Sequence, residues 1–314
     1  MAPRVLVSDE LSETAVQIFR DRGVEVDYMP KLGKDKEKLA EIIGQYDGLA
    51  IRSATKVTDK LLANATNLKV VGRAGIGVDN VDIPAASKKG VIVMNTPFGN
   101  SVTTAEHAIA MMFALARQIP EANTQTQEGL WPKNGFMGVE VSGKTLGLIG
   151  AGNIGSIVAD RALGLKMKVV AYDPFLSAER AVELGIEKAD LDTLLAKADF
   201  ITLHTPLTEQ TRNILSRDNI AKAKKGVRII NCARGGLIDD AALIEALASG
   251  KLRAAGLDSF NTEPLVGVHL YRDIPNVVLS PHIGGVTADA YVAMGVGAAR
   301  NILDGLGSRS RSAA

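Results

Sequence analysis

A chain of 314 residues is long enough for two domains of ordinary size, each with its own apolar core. Its 36 basic and 35 acidic residues nearly cancel, leaving +1. That balance excludes a broad nucleic-acid or membrane surface and leaves small charged ligands held by local clusters. The single cysteine, Cys232, cannot close an internal disulfide, and neither a bilayer-spanning run nor a signal-peptide pattern is visible, so a reducing, cytoplasmic compartment is the default expectation.

Residues 1 to about 97 alternate short apolar strands with helical spacing. Arg4-Val5-Leu6-Val7 reads as a strand and Leu11, Ala15, Ile18 and Phe19 as one helix face. Val24-Glu25-Val26 is a second strand, Leu39, Ile42 and Ile43 a second helix face, and strands follow at Gly48–Ile51, Leu68–Val71 and Val91–Val93. Such alternation predicts a parallel, doubly wound α/β sheet. Two loops follow strands there, Arg52-Ser53-Ala54-Thr55 and Arg73-Ala74-Gly75-Ile76-Gly77. They fit an anion site of guanidinium and backbone N–H groups, or equally solvated arginines on ordinary turns.

The breaker cluster Asn95–Asn100 marks a crossing between domains, and a core-packing helix is predicted over Ser101–Arg117. From Pro120 to Gly138 the pattern turns irregular and contains the only tryptophan, Trp131, near Phe136 and Met137. This is read as an apolar dimer arm, or as a loop pinned by one buried aromatic.

Lys144–Ile149 then reads as a strand that runs into Gly150-Ala151-Gly152-Asn153-Ile154-Gly155 and an amphipathic helix. Gly150 permits the tight turn, Gly152 lets backbone approach a pyrophosphate, and Gly155 allows close helix–strand packing, with the helix N-terminus facing the phosphates. The next strand, Lys168–Tyr172, ends at Asp173, where a carboxylate accepts from a ribose 2′-hydroxyl and repels a 2′-phosphate. NAD is expected rather than NADP.

Later strands also end in reactive residues. Phe200–Leu203 leads to His204-Thr205, Val227–Ile230 to Asn231-Cys232-Ala233-Arg234, Ala254–Leu257 to Asp258 and then Glu263, and Val277–Leu279 to Ser280-Pro281-His282. In a parallel sheet these ends share one edge. Hydride chemistry needs a proton acceptor, an anchor and a carbonyl polariser, and the edge offers His282 with Glu263, and Arg234 as a bidentate carboxylate grip. His204 is the rival acid–base group; His282 is preferred because Gly284-Gly285 follow it. His107 is assigned to core packing and His269 to a loop, Cys232 is read as a small strand-end residue, and no metal cluster is indicated. Helical spacing returns from about Ala288 to Leu303, and a disordered tail is expected from Gly305.

Together GAGNIG, NCARGGLIDDAAL, LDSFNTEP and SPHIGG resemble the D-2-hydroxyacid dehydrogenases. IRSATKVTDKLL, VVGRAGIGVDNVDI, NTPFGNS and LARQIPEA are similar to the branch of that family that oxidises 3-phosphoglycerate at the start of serine biosynthesis. The resemblance implies a Rossmann NAD-binding domain inserted in a discontinuous flavodoxin-like substrate domain: 1–97 and 284–304 for the substrate domain, 98–283 for the NAD domain with its arm, 305–314 for the tail. It implies Arg234, Glu263 and His282 as the catalytic set. Cofactor contacts would fall on Ile76, Gly150, Gly152, Asn153, Ile154, Gly155, Asp173, Thr205, Cys232, Ala233, Asp258, Gly284 and Gly285, and substrate contacts on Arg52, Ser53, Arg73, Gly75 and Asn100. A homodimer or higher homo-oligomer through the cofactor domain is implied as well. Residues 265–271 and 285–289 depart from that branch, so a glyoxylate or hydroxypyruvate reductase is the alternative, and an NAD-sensing corepressor a remote one. Feedback by serine is not expected, since the chain stops where many relatives continue into regulatory domains.

Overall fold

The computed structural model describes residues 2–311, with side chains through Gly307. In chain order the first elements are β1 (Arg4–Val7), α1 (Glu13–Asp21), β2 (Glu25–Tyr28), α2 (Lys36–Ile42), β3 (Gly48–Ile51), α3 (Asp59–Asn64), β4 (Val70–Arg73), α4 (Ile83–Lys88) and β5 (Ile92–Asn95). There follow α5 (Ser101–Arg117), α6 (Ile119–Gln127), β6 (Thr145–Ile149), α7 (Asn153–Gly164), β7 (Lys168–Tyr172), α8 (Ala178–Glu183), β8 (Glu187–Lys188), α9 (Leu191–Lys197) and β9 (Phe200–Leu203). The last are α10 (Arg217–Lys222), β10 (Val227–Asn231), α11 (Asp240–Ala248), β11 (Leu252–Leu257), β12 (Val277–Leu279) and α12 (Ala288–Arg311). The described residues form two compact units, one of residues 2–100 and 286–311 and one of residues 101–285.

The first unit holds a five-stranded sheet in the order β2-β1-β3-β4-β5, with every pairing parallel. This is the flavodoxin-like order. Fully parallel strands need cover on both faces. Ala15 and Phe19 of α1, Leu11 just ahead of it, and Met294, Ala298 and Ile302 of α12 cover one face, while Leu39 of α2, Leu61 and Leu62 of α3 and Ala86 of α4 cover the other. Strand β4 lies two residues later than its apolar run suggests, so Arg73 ends the strand itself, in register with Asn95 of β5.

The second unit holds seven parallel strands in the order β12-β11-β10-β9-β6-β7-β8. Strand order reverses between β6 and β9, the switch point where doubly wound sheets bind ligands. Helices α5, α7 and α8 pack on one face through Met112, Leu115, Val158, Ala159 and Ala181. Helices α9, α10 and α11 pack on the other through Leu194, Leu195, Ile220 and Leu243. The two-residue edge strand β8 has no apolar run and is invisible to periodicity.

Two expectations are corrected. The stretch after Pro120 opens as helix α6, set off from α5 by a left-handed Gln118 (φ 55°), and it buries no residue, so it has no apolar face to betray it. The stretch from Gly305 is not a disordered tail through Arg311 but the end of α12, where Gly305 lies against Val70 and Leu306 packs on the core. Residues 312–314 lie outside the described residues. Trp131, one reading of which was a buried pin, is 82% exposed. Among the described residues, no helix is long and apolar enough to cross a membrane.

Candidate active site

The three glycines of the 150–155 turn have separable reasons to be there. Gly150 adopts φ +94°, and a Cβ on it would sit 2.6 Å from the His204 carbonyl oxygen and 3.0 Å from Thr205 N. A Cβ on Gly155 would overlap the Gly150 carbonyl oxygen, whereas one on Gly152 would meet no protein atom within 4 Å. The freedom at Gly152 therefore serves something other than the fold.

Helices α8, α9, α10 and α11 begin on Ser177, Asp190, Ser216 and Asp239, whose side chains accept from the first turn. Helix α7 begins on Gly152 without a side-chain cap. An uncapped N-terminus at a switch point, floored by glycine, fits a pyrophosphate. Asn153 and Ile154 open this helix.

The register Ile149↔Tyr172 sets Asp173 beside the turn, where Oδ2 accepts from Ala151 N at 2.8 Å and Oδ1 from Phe175 N at 2.8 Å. Asp173 is thereby aimed before any ligand arrives, and its charge suits a ribose diol and disfavours a 2′-phosphate. The residues present fit NAD.

The candidate acid–base pair forms further along the same edge. His282 Nδ1 lies 2.8 Å from Glu263 Oε2, and Glu263 Oε1 accepts from Phe260 N at 2.9 Å. One carboxylate oxygen thus anchors the acid and the other orients the imidazole. The side chain is 45% exposed, and Nε2 is the ring nitrogen that Glu263 does not take. His282 itself adopts φ +55°. Arg234 stands on the loop after β10, where Asn231 Nδ2 donates to the Arg234 carbonyl at 2.8 Å, Asn231 Oδ1 accepts from Ala233 N at 3.0 Å and Arg234 Nη1 donates to the Ala233 carbonyl at 2.8 Å. A Cβ on Gly235 would overlap the Phe260 carbonyl, so this loop touches the loop that carries Glu263.

The rivals to His282 separate on environment. His204 Nε2 pairs with Thr202 Oγ1 at 2.8 Å, and burial pushes the imidazole down to about 4 with no carboxylate to oppose it. Neutral and weakly basic, it is a poor proton acceptor. Burial, with a lesser contribution from Asp258, pushes the Cys232 thiol up, so it stays protonated and inert. His107 does more than pack, since its Nε2 lies 3.1 Å from Ser280 Oγ on the strand-end edge.

In the first unit, the loop after β3 is built by two buried or half-buried side chains that residue spacing did not single out. Asp9 accepts from Arg52 N at 2.7 Å, Thr55 N at 3.1 Å and Thr55 Oγ1 at 2.7 Å; Asn80 Nδ2 donates to the carbonyls of Arg52 at 2.6 Å and Thr55 at 2.7 Å. Ser53 is left at the exposed crest, and the Arg52 guanidinium lies 5.0 Å from the centre of the Tyr291 ring. Gly75 adopts φ +144°, and a Cβ there would overlap the Arg73 guanidinium, which folds back over it. Thr96 and Asn95 fasten the same turn through Gly75 N at 2.7 Å and the Ile76 carbonyl at 2.6 Å. Ile76 and the half-buried Asn100 thus belong to the first unit with Arg52 and Arg73, while the other proposed cofactor contacts belong to the second.

Comparison with known proteins agrees with this geometry. Residues 109–284 match the model of the D-isomer specific 2-hydroxyacid dehydrogenase NAD-binding domain. The chain is 46% identical over 310 residues, 98% of its length, to a D-3-phosphoglycerate dehydrogenase from Synechocystis, and 44% identical over 301 residues, 96% of its length, to one from Archaeoglobus fulgidus. It covers 55% and 57% of those two proteins, and so spans about half the length of the curated relatives it matches. A solved structure from Thermus thermophilus aligns with a TM-score of 0.90 at 36% identity, covering 97% of each chain. The chain therefore belongs to the D-isomer specific 2-hydroxyacid dehydrogenases, with their NAD-binding domain in its second unit.

Proposed function

We propose that the protein oxidises 3-phospho-D-glycerate to 3-phosphohydroxypyruvate with NAD, the first step of L-serine biosynthesis. The observation that carries the reading is the imidazole–carboxylate pair, His282 Nδ1 to Glu263 Oε2 at 2.8 Å, on the same sheet edge as the glycine turn. Bound NAD would supply the hydride acceptor. His282 Nε2 takes the proton of the C2 hydroxyl as the C2 hydrogen departs with its electron pair, and the C–O bond becomes a carbonyl. Glu263 accepts from Nδ1–H and stabilises the imidazolium that forms. Arg234 grips the substrate carboxylate, and its charge polarises the neighbouring carbonyl in the reverse direction.

Within the first unit, Arg52, Ser53, Arg73, Gly75 and Asn100 are the proposed substrate contacts and Ile76 a proposed cofactor contact. Two guanidinium groups on adjacent strand ends exceed what a simple 2-hydroxyacid needs, and they favour a phosphorylated acid over glyoxylate or hydroxypyruvate. NAD-linked kinetics test this. The phosphorylated pair should be preferred over glycerate, hydroxypyruvate and glyoxylate by at least about 100-fold in kcat/KM. Arg52→Ala should raise KM for the phosphorylated substrate about tenfold and leave the unphosphorylated analogue nearly unchanged. Preference for an unphosphorylated acid would retain the hydride chemistry and overturn the serine-pathway assignment.

We also infer a cytoplasmic homodimer. Leu130, Trp131 and Met137 are 52%, 82% and 81% exposed, three large apolar side chains on one short stretch that a second copy would bury. Trp131→Glu should shift the protein from dimer to monomer in sedimentation velocity. A wild-type protein that sediments as a monomer at micromolar concentration would refute the arm's role.

A further inference from the structure

Asp258 is 1% exposed and follows the end of β11. The register pairs Leu257 with Leu279, so Asp258 and Ser280 emerge side by side, and Ser280 Oγ donates to Asp258 Oδ1 at 2.5 Å. With its proton committed there, the Ser280 oxygen can only accept from His107 Nε2, 3.1 Å away on α5. His107 therefore carries its proton on Nε2, and the same nitrogen stands 3.5 Å from Asp258 Oδ1.

On its other side Asp258 accepts from Ile283 N at 2.9 Å and Gly284 N at 2.7 Å, the two residues that follow His282. Burial alone would raise the Asp258 carboxyl, but hydrogen bonds from His107, Ser280, Ile283 and Gly284 outweigh it and hold the group below its usual range. The packing is tight, since a Cβ on Gly284 would sit 2.8 Å from Asp258 Oδ2 and 3.4 Å from His107 Cδ2.

We propose that His107 is a positioning residue, which acts through Ser280 and Asp258 to clamp the 282–285 turn and so holds His282 facing Glu263. A left-handed φ is unfavourable for a residue with a Cβ, and His282 keeps its +55° only because its neighbours over-determine it. Its own N–H is tied to the Ser280 carbonyl at 3.0 Å, so Ser280 grips the turn by backbone and side chain together. Helix α5 thus reaches the reacting centre through one imidazole, in a chain of donors that ends on the backbone beside the proton acceptor. The inference deepens the function proposed above and rests on His282 being its acid–base group.

The test compares His107→Leu, which removes the donor, with His107→Gln, which keeps an N–H donor on a side chain of similar reach. Hydrogen–deuterium exchange is followed over residues 279–286 of the full chain, alongside kcat and KM. In His107→Leu, exchange at the turn should rise about tenfold relative to the rest of the domain, kcat should fall about tenfold, and KM for NAD and acid should stay within about twofold. His107→Gln should recover both to within about threefold of wild type.

Equal loss in the two variants, or exchange that rises uniformly across the domain, would show a merely structural role and overturn the proposal. Ser280→Ala removes the middle hydroxyl without touching α5 and must loosen the same turn, or the chain is wrong even if His107→Leu fails to fold. Exchange is read without turnover. If the turn loosens while kcat holds, the positioning stands and the role given to His282 falls.

Discussion

His282→Ala should lower kcat by about 1,000-fold or more while the affinity for NAD changes by no more than about threefold. The expectation follows from how the ring is held. Glu263 occupies Nδ1 at 2.8 Å, which leaves Nε2 as the proton acceptor, whereas His107, also near a carboxylate, has its Nε2 taken up by Ser280 and Asp258. His204 cannot substitute, because burial pushes it down to about 4 and Thr202 already takes its Nε2. Glu263→Gln keeps the shape of the contact and removes its charge, so the loss should be smaller, about 10- to 100-fold, and confined to kcat. Steady-state kinetics with a parallel fluorescence titration of NAD separate the two quantities. Turnover that survived in His282→Ala would transfer the acid–base role to His204 and refute the mechanism.

The second large effect is a contrast between two glycines three residues apart. Gly155→Ala drives a methyl group into the Gly150 carbonyl oxygen, a backbone atom with no rotamer to yield, and overpacking of this kind costs about 1–3 kcal/mol. In a unit of this size that is a fall of roughly 2–4 °C in melting temperature per kcal/mol, together with weaker NAD binding because the turn is distorted. Gly152→Ala meets no protein atom within 4 Å, and Gly152 has φ −73°, which alanine adopts freely. Its stability should therefore stay within about 1 kcal/mol of wild type.

Its NAD affinity should nevertheless fall at least about tenfold, because the methyl group projects where the pyrophosphate approaches the α7 N-terminus. Thermal unfolding and isothermal titration on the two variants check the contrast. If Gly152→Ala bound NAD normally, the cofactor would not lie against this turn, whatever the fold.

Local periodicity by itself determined that both halves of this chain are parallel and doubly wound. Val5, Leu6 and Val7, or Phe200, Ile201 and Leu203, form strands buried on both faces, and such runs stay apolar without alternation. Strand ends were legible for the same reason, and with them Gly152, Asp173, Arg234, Asp258 and His282 as members of one edge. The helical spacing of Ser101–Arg117 was legible too, but not what His107 does on it.

Tertiary structure decided which polar residues meet. His107 and Ser280 are 173 positions apart, and nothing in either segment announces the other. Their meeting depends on strand order and on the one-residue register that sets Leu257 against Leu279, and no local propensity encodes either. The same holds for Asp9 beneath the Arg52 loop, for Asn231 inside the Arg234 loop, and for the choice of His282 over His204, which turned on a carboxylate 19 residues away in one case and burial without one in the other. Helix α6 escaped because a helix that buries nothing writes no apolar stripe into its sequence. Side-chain chemistry can be read one residue at a time, but acid–base strength and orientation belong to pairs, and pairs exist only once the sheet has closed its register.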